Sequence, residues 1–161
     1  MSLPPLETTL APAEPGDALE LDELWSFVLH KANKRWVWLA LCSRTRQIVA
    51  YAIGDRSAAT CRRLWERIPA AYRRNGPIYT DFWEAYLHRA GAMVKVVPPL
   101  YHRPGGKETG QTNHIERWNN TLRQRLGRFV RKSLSFSKCE RMHELCLRLF
   151  LHEHNRLHRT T

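Results

Sequence analysis

Three runs of the chain are apolar almost throughout: LDELWSFVLH (21–30), RWVWLALCS (35–43) and QIVAYAIG (47–54). Only the short polar breaks KANK and RTR separate them. Extended, Trp- and β-branched-rich runs joined by connections this tight predict three consecutive antiparallel strands. From Ser57 the pattern becomes helical through AATCRRLWERIPAAYRR, with Ser57 as the expected N-cap, and Asn75-Gly76-Pro77 ends it. A short strand, PIYTD (77–81), then leads into a second helix, FWEAYLHRAG (82–91). MVKVV (93–97) reads as a fifth short strand, stopped by Pro98-Pro99.

The stretch PPLYHRPGGKETGQ (98–111) is polar and aperiodic, and is expected to be a mobile loop bordering a functional site. Thr112 is the expected cap of a helix running through Arg125, and SFSKCERMHELCLRLFLHEHNRLH (135–158) supplies a last amphipathic helix capped by Ser137. Residues 1–19 hold four of the nine prolines and show no period, which predicts a disordered acidic, proline-rich leader before one folded domain over 20–161. The succession predicts an α/β fold: a mixed sheet, three antiparallel strands then two parallel, flanked by helices. A ribonuclease-H-like domain has the same order, at this point an analogy of fold alone.

A length of 161 residues suits one domain, and 43% hydrophobic content excludes collagen-like, fully disordered and disulfide-scaffold classes. No run reaches the ~18–20 apolar residues of a membrane helix, and no secretory signal opens the chain. Cys42, Cys61, Cys139 and Cys146 form no CxxC pair and read as reduced thiols, so a cytoplasmic location without membrane contact is expected.

The net charge of +11 is unevenly spread. Residues 1–30 carry six acids and no Lys or Arg, so the rest holds all 26 basic residues against nine acids. A body this basic attracts polyanions, nucleic acid first. The densest run, RWNNTLRQRLGRFVRK (117–132), has six cations and no acid. Arg117, Arg123, Arg125, Arg128, Arg131 and Lys132, with Asn119 and Asn120, are the candidate DNA-binding residues, suited to phosphate contact without sequence readout.

Three acids stand out by position: Asp22 at the start of the first strand, Asp81 at the end of the fourth, and Glu116 in the first turns of the helix after the long loop. Neighbouring strands and an overlying helix bring such residues together. Converging carboxylates stay ionised only when a cation joins them, and an all-oxygen set suits Mg²⁺ or Mn²⁺. Two such ions serve phosphodiester chemistry with no covalent protein nucleophile. Taken singly, Asp22 also reads as a solvated strand-edge acid, Asp81 as an N-cap and Glu116 as a first-turn residue favoured by the helix dipole. Glu23 is a rival for the first position, because a one-residue register change swaps faces.

Three blocks carry a resemblance: Leu21-Asp22-Glu23-Leu24-Trp25, Thr80-Asp81-Phe82-Trp83-Glu84-Ala85-Tyr86, and the run from His114 through Glu116 and Arg117-Trp118-Asn119-Asn120 to Arg125, continued at Arg131–Lys138. In these blocks the chain resembles DDE transposases of the insertion-sequence-one family, of which it is similar to the InsB-type catalytic half. The resemblance covers about residues 20–158. It implies a ribonuclease-H-like fold, a site of two Mg²⁺ or Mn²⁺ ions, and transposition of DNA by strand cleavage and strand transfer. Asp22, Asp81 and Glu116 are then the catalytic and metal-holding triad, with Asp22 preferred over Glu23. The family also places a basic residue seven positions after the glutamate, here Arg123. Seven residues drift only ~20° around a helix, so Glu116 and Arg123 share a face. Implied partners are transposon-end and target DNA, further copies of the chain on that DNA, and an upstream zinc-binding, helix-turn-helix half supplied by frameshift fusion. Only the acidic leader precedes Asp22 here, with neither feature in it. A structure-selective nuclease of the same fold and a noncatalytic basic DNA-binding module are the rival functions.

Cys139, His143 and Cys146 share one nominal face of the last helix. Three ligands beside Leu145, Leu149 and Phe150 read as a core seam rather than a metal site. His152, His154 and His158 read as surface or phosphate contacts. Trp25, Trp36, Trp38 and Trp65 are expected core anchors, and Trp83 core or site rim. His114 is expected either to order the site near Glu116 or to stabilise the helix start.

Overall fold

The structure, a computed structural model, describes residues 3–81, 96–105, 107–130, 132 and 134–159. Among them a five-stranded sheet runs in the order β3-β2-β1-β4-β5. Its strands are β1 (Leu19–Phe27), β2 (Lys34–Cys42), β3 (Ile48–Gly54), β4 (Ile78–Thr80) and β5 (His102–Pro104). The pairs β1–β2 and β2–β3 are antiparallel, whereas β1–β4 and β4–β5 are parallel. The helices are α1 (Ala58–Arg67), α2 (Ala70–Arg73), α3 (Asn113–Arg125) and α4 (Glu140–Leu157). The mixed sheet flanked by helices is the fold expected from the sequence, consistent with a ribonuclease-H-like architecture.

Side chains alternate across a strand, so β1, β2 and β3 each supply two cores. On one face Leu19 and Leu21 of β1 meet Trp38, Ala40 and Cys42 of β2 and Cys61, Leu64 and Ile68 around α1. On the other, Leu24, Val37, Leu39 and Leu41 meet Ile115, Trp118 and Leu122 of α3 and Leu147 and Leu151 of α4. Asp22 lies between Glu20 and Leu24 in the same parity and therefore faces α3.

Several local expectations are corrected. Asp22 is the fourth residue of β1, because the strand begins at Leu19. The helix after Ser57 is two pieces: Pro69 has no N–H and constrains Ile68, so α1 ends at Arg67 and α2 restarts at Ala70. Ser57 does cap α1, accepting from Thr60 N–H at 3.4 Å. Within the expected loop, His102–Pro104 is a strand that pairs with β4 and forms the edge of the sheet among the described residues, where a proline is tolerated. Of the expected strand 93–97, residues 93–95 lie outside the described residues, and Val96 and Val97 are buried without strand pairing. The helix expected over 82–91 lies outside them as well. Helix α4 begins at Glu140 rather than at Ser137, whose hydroxyl is engaged with His143 instead.

The leader is not a free tail from Leu3 onward. Gln47, fully buried, accepts from Ala11 N–H at 2.8 Å and donates to Thr9 O at 3.1 Å. Asn155 donates to Thr9 Oγ1 at 2.9 Å while pairing with both backbone groups of Ile48. Asp17, 4% exposed, receives the Arg44 guanidinium at 2.6 Å, which holds its carboxyl below the usual range. Ordered partners for backbone groups fix a segment that has no apolar period of its own.

Candidate active site

Parallel pairing of β1 with β4 sets Leu19 opposite Ile78 and Glu20 opposite Tyr79. Continuing that register by two residues places Asp81 beside Asp22. Oxygens of Asp22, Glu23 and Asp81 lie within 4.8 Å of one another. They open into a cavity of about 500 Å³ whose opposite wall is α3, through Glu116, Asn119, Asn120 and Arg123. Acids 94 positions apart in the chain therefore share one pocket.

Carboxylates crowd this pocket, whose wall also carries the cations Arg56 and Arg123. Burial, then the carboxylates of Glu23, Asp81 and Glu116, push Asp22 up to about 7. Two hydrogen bonds oppose this and fix its orientation: Glu23 N–H donates to Oδ1 at 2.9 Å and Asn119 Nδ2 to Oδ2 at 2.7 Å. Glu23, its side chain 2% exposed, lies 2.7 Å from the Arg56 guanidinium. Thr112 Oγ1 donates to Glu116 Oε1 at 2.9 Å. The donor set is all oxygen, and the buried Asn119 Oδ1 finds no partner among the described residues, leaving an acceptor in the same cavity. Hard oxygen donors of this kind fit a hard divalent cation such as Mg²⁺ or Mn²⁺.

What places α3 over the acids is Glu20, a residue that sequence reasoning missed. It is 1% exposed, and Oε2 accepts from the N–H groups of His114 and Ile115, both at 3.0 Å. Thr112 occupies the N-cap position but makes no side-chain cap bond, so β1 supplies the cap from 94 residues away. A carboxylate there satisfies orphan donors and complements the helix dipole. His114 Nδ1 lies 2.5 Å from Glu20 Oε1, which assigns His114 to the helix start. The available signal was three acids, Glu20, Asp22 and Glu23, in an otherwise apolar strand.

The expected tryptophan anchors divide. Trp38 is fully buried, but Trp25 and Trp36 line the acidic cavity, where Lys34 lies over one ring at 4.9 Å and Arg56 over the other at 4.8 Å. Trp65 packs, partly buried, against the α1-side core, and Trp83 lies outside the described residues.

Residues 18–157 match the IS1 transposase family model. The chain is 36% identical over 135 residues to the insertion element iso-IS1n protein InsB of Shigella dysenteriae, covering 84% of this chain and 94% of that protein. It is also 36% identical over 125 residues to the insertion element IS1 protein InsB of Shigella flexneri, covering 78% and 86% respectively. The chain belongs to the IS1 transposase family.

In this IS1 transposase the expected DNA-binding run does not form one track. Asn119, Asn120 and Arg123 line the acidic cavity with Glu116, whereas Arg117 and Arg125 line a separate groove on the other flank of α3. Successive helical residues turn about 100°, which sends these two sets to opposite flanks. Arg128 sits in the turn after α3, near His143, and Lys132 is exposed; Arg131 lies outside the described residues. No helix among the described residues is long and apolar enough to cross a membrane.

Of Cys139, His143 and Cys146 only His143 is buried: Cys139 and Leu149 are exposed, and α4 packs its core through Leu147 and Leu151 rather than through the expected seam. Ser26 Oγ and Ser137 Oγ each lie 2.7 Å from a ring nitrogen of His143, and Phe129 stacks on the ring at 4.4 Å. Both nitrogens being engaged, none is left for a metal. Burial, aided by Arg128 and Arg35, holds His143 down to about 4. Between about pH 6.5 and 4 the unfolded chain takes up a proton that the folded chain refuses, so this residue makes stability fall as pH falls across that window. Its contribution amounts to up to about 3 kcal/mol. Urea unfolding at pH 7 and 4.5 should show a smaller acid loss for His143→Gln than for the parent; equal losses would remove the assignment.

Proposed function

We propose that this transposase cuts the phosphodiester at the end of an insertion element and joins the freed 3′-hydroxyl to target DNA, using Asp22, Asp81 and Glu116 with divalent cations. The observation that carries the reading is the convergence of Asp22, Glu23 and Asp81 oxygens within 4.8 Å, across a cavity from Glu116 and Arg123. Asp22, Asp81 and Glu116 would hold the ions, with Glu23 as a further oxygen donor tethered by Arg56. When bound, the cations lower the pKa of the attacking water and neutralise charge on the leaving oxygen. The chain's own contribution is orientation. Asn119 and Glu23 N–H aim the two oxygens of Asp22, Glu20 locks α3 in place, and Arg123 on the Glu116 face receives backbone phosphate.

Labelled element-end DNA, a supercoiled plasmid and Mg²⁺ provide the test. Joined products support transposition. Cut strands without joining identify a nuclease, and neither product, with DNA still bound, a noncatalytic module. Asn119→Ala removes the amide that orients Asp22 and is expected to weaken Mn²⁺ binding about 10-fold, the loss usual for a supporting partner of a metal ligand. Titration calorimetry reads this directly, and unchanged affinity would confine Asn119 to packing.

A further inference from the structure

The flank of α3 away from the carboxylates carries its own cavity, about 410 Å³, between α3, α4 and the turn after β2. Arg46, Arg117 and Arg125 stand around it, and among the described residues none of the three has a carboxylate within ion-pair distance. The single acid on its wall, Glu153, is held by Arg156 at 2.9 Å. The floor is apolar, from Trp118, Phe150 and Leu157. Trp118 is 5% exposed, yet its indole Nε1 has no acceptor among the described residues. The groove therefore presents a cationic rim over an apolar floor.

We infer that this groove holds the phosphodiester backbone of a second DNA segment, distinct from the strand at the carboxylates. The inference rests on the proposed DNA-joining function and deepens it, since joining requires two DNA segments to be held at once. Arg117 and Arg125 are eight residues apart, about 12 Å along the axis of α3 and about 80° around it, on the flank that faces this groove. Guanidinium groups bind phosphate oxygens in forked geometry, and the apolar floor suits the sugar faces between them. A protein segment rich in acids would satisfy the same charges, but joining requires a second DNA segment and no second protein.

The test uses the full chain, a 30-base-pair fluorescent duplex without metal, and anisotropy at several salt concentrations. For the triple variant Arg46→Gln/Arg117→Gln/Arg125→Gln, the log–log salt slope should fall by about 2–3, because each lost phosphate contact removes about 0.9. Affinity at moderate salt should drop at least 10-fold, and the triple Arg→Lys variant should recover most of it. The substituted side chains stand on the groove rim, and thermal melting verifies that each variant folds. Parent-like binding by a folded Gln variant overturns the second groove while leaving the proposed function intact. Failure of the parent to bind duplex overturns both, and displacement of DNA by polyglutamate at equal charge concentration assigns the groove to a protein partner instead.

Discussion

Asp81→Asn is expected to lower Mg²⁺-dependent strand cleavage by at least 10³-fold, a loss of about 4 kcal/mol of transition-state stabilisation. The residue sits just past β4, where strand register brings it to Asp22, and its oxygen is one of the three within 4.8 Å. Asparagine keeps the shape and removes the charge that a hard cation requires. The neighbouring buried Thr80, bonded to His102 at 2.7 Å, is untouched, so the fold should persist. DNA affinity should hold or rise slightly, because one negative charge leaves a surface that meets phosphate. Gel assays of cleavage beside anisotropy of binding separate the two effects. Cleavage at the parent rate by the variant would remove Asp81 from the chemistry.

Glu20→Ala carries the second large effect, on stability and activity together. The substitution leaves the N–H groups of His114 and Ile115 without their acceptor at a buried helix start. An unsatisfied buried donor costs about 1–3 kcal/mol, so a total near 3 kcal/mol is expected, or roughly 6–12 °C in melting temperature at this chain length. Cleavage should fall as well, since α3 carries Glu116, Asn119 and Arg123 on the face that Glu20 aims. Glu20→Gln should lie between, its amide oxygen accepting one bond without the charge that complements the dipole. Calorimetric melting decides it: a shift below 2 °C for the alanine variant would mean that α3 is placed by its apolar face alone.

The parts of the molecule legible in the sequence are those whose cause is local. Strands β1 to β3 announce themselves because the sheet centre is buried on both faces and joined by tight turns. Ser57 announces α1 by proximity to the amide it caps. Features with distant causes were hidden. The leader looks disordered because its order comes from Gln47 and Asn155, 36 or more residues away. Strand β5, His-Arg-Pro, has no apolar pattern because an edge strand needs only backbone partners on one side. Helix α3 is legible from its own period, but its cap is not, because nothing local to Thr112 betrays that Glu20 reaches the helix start. The basic run was legible as charge, and its division between two grooves follows from counting around the helix: Arg123 falls with Glu116, Arg117 and Arg125 with Trp118.

In the proposed mechanism Asp22, Asp81 and Glu116 serve one divalent-cation pocket beside DNA. Anomalous diffraction from crystals of the protein soaked in Mn²⁺ addresses it at a single measurement. A peak is expected about 2.1 Å from carboxylate oxygens of both Asp22 and Asp81, on the Glu116 side of the cavity. Manganese bound elsewhere, or no peak in this pocket at saturating Mn²⁺, would contradict it.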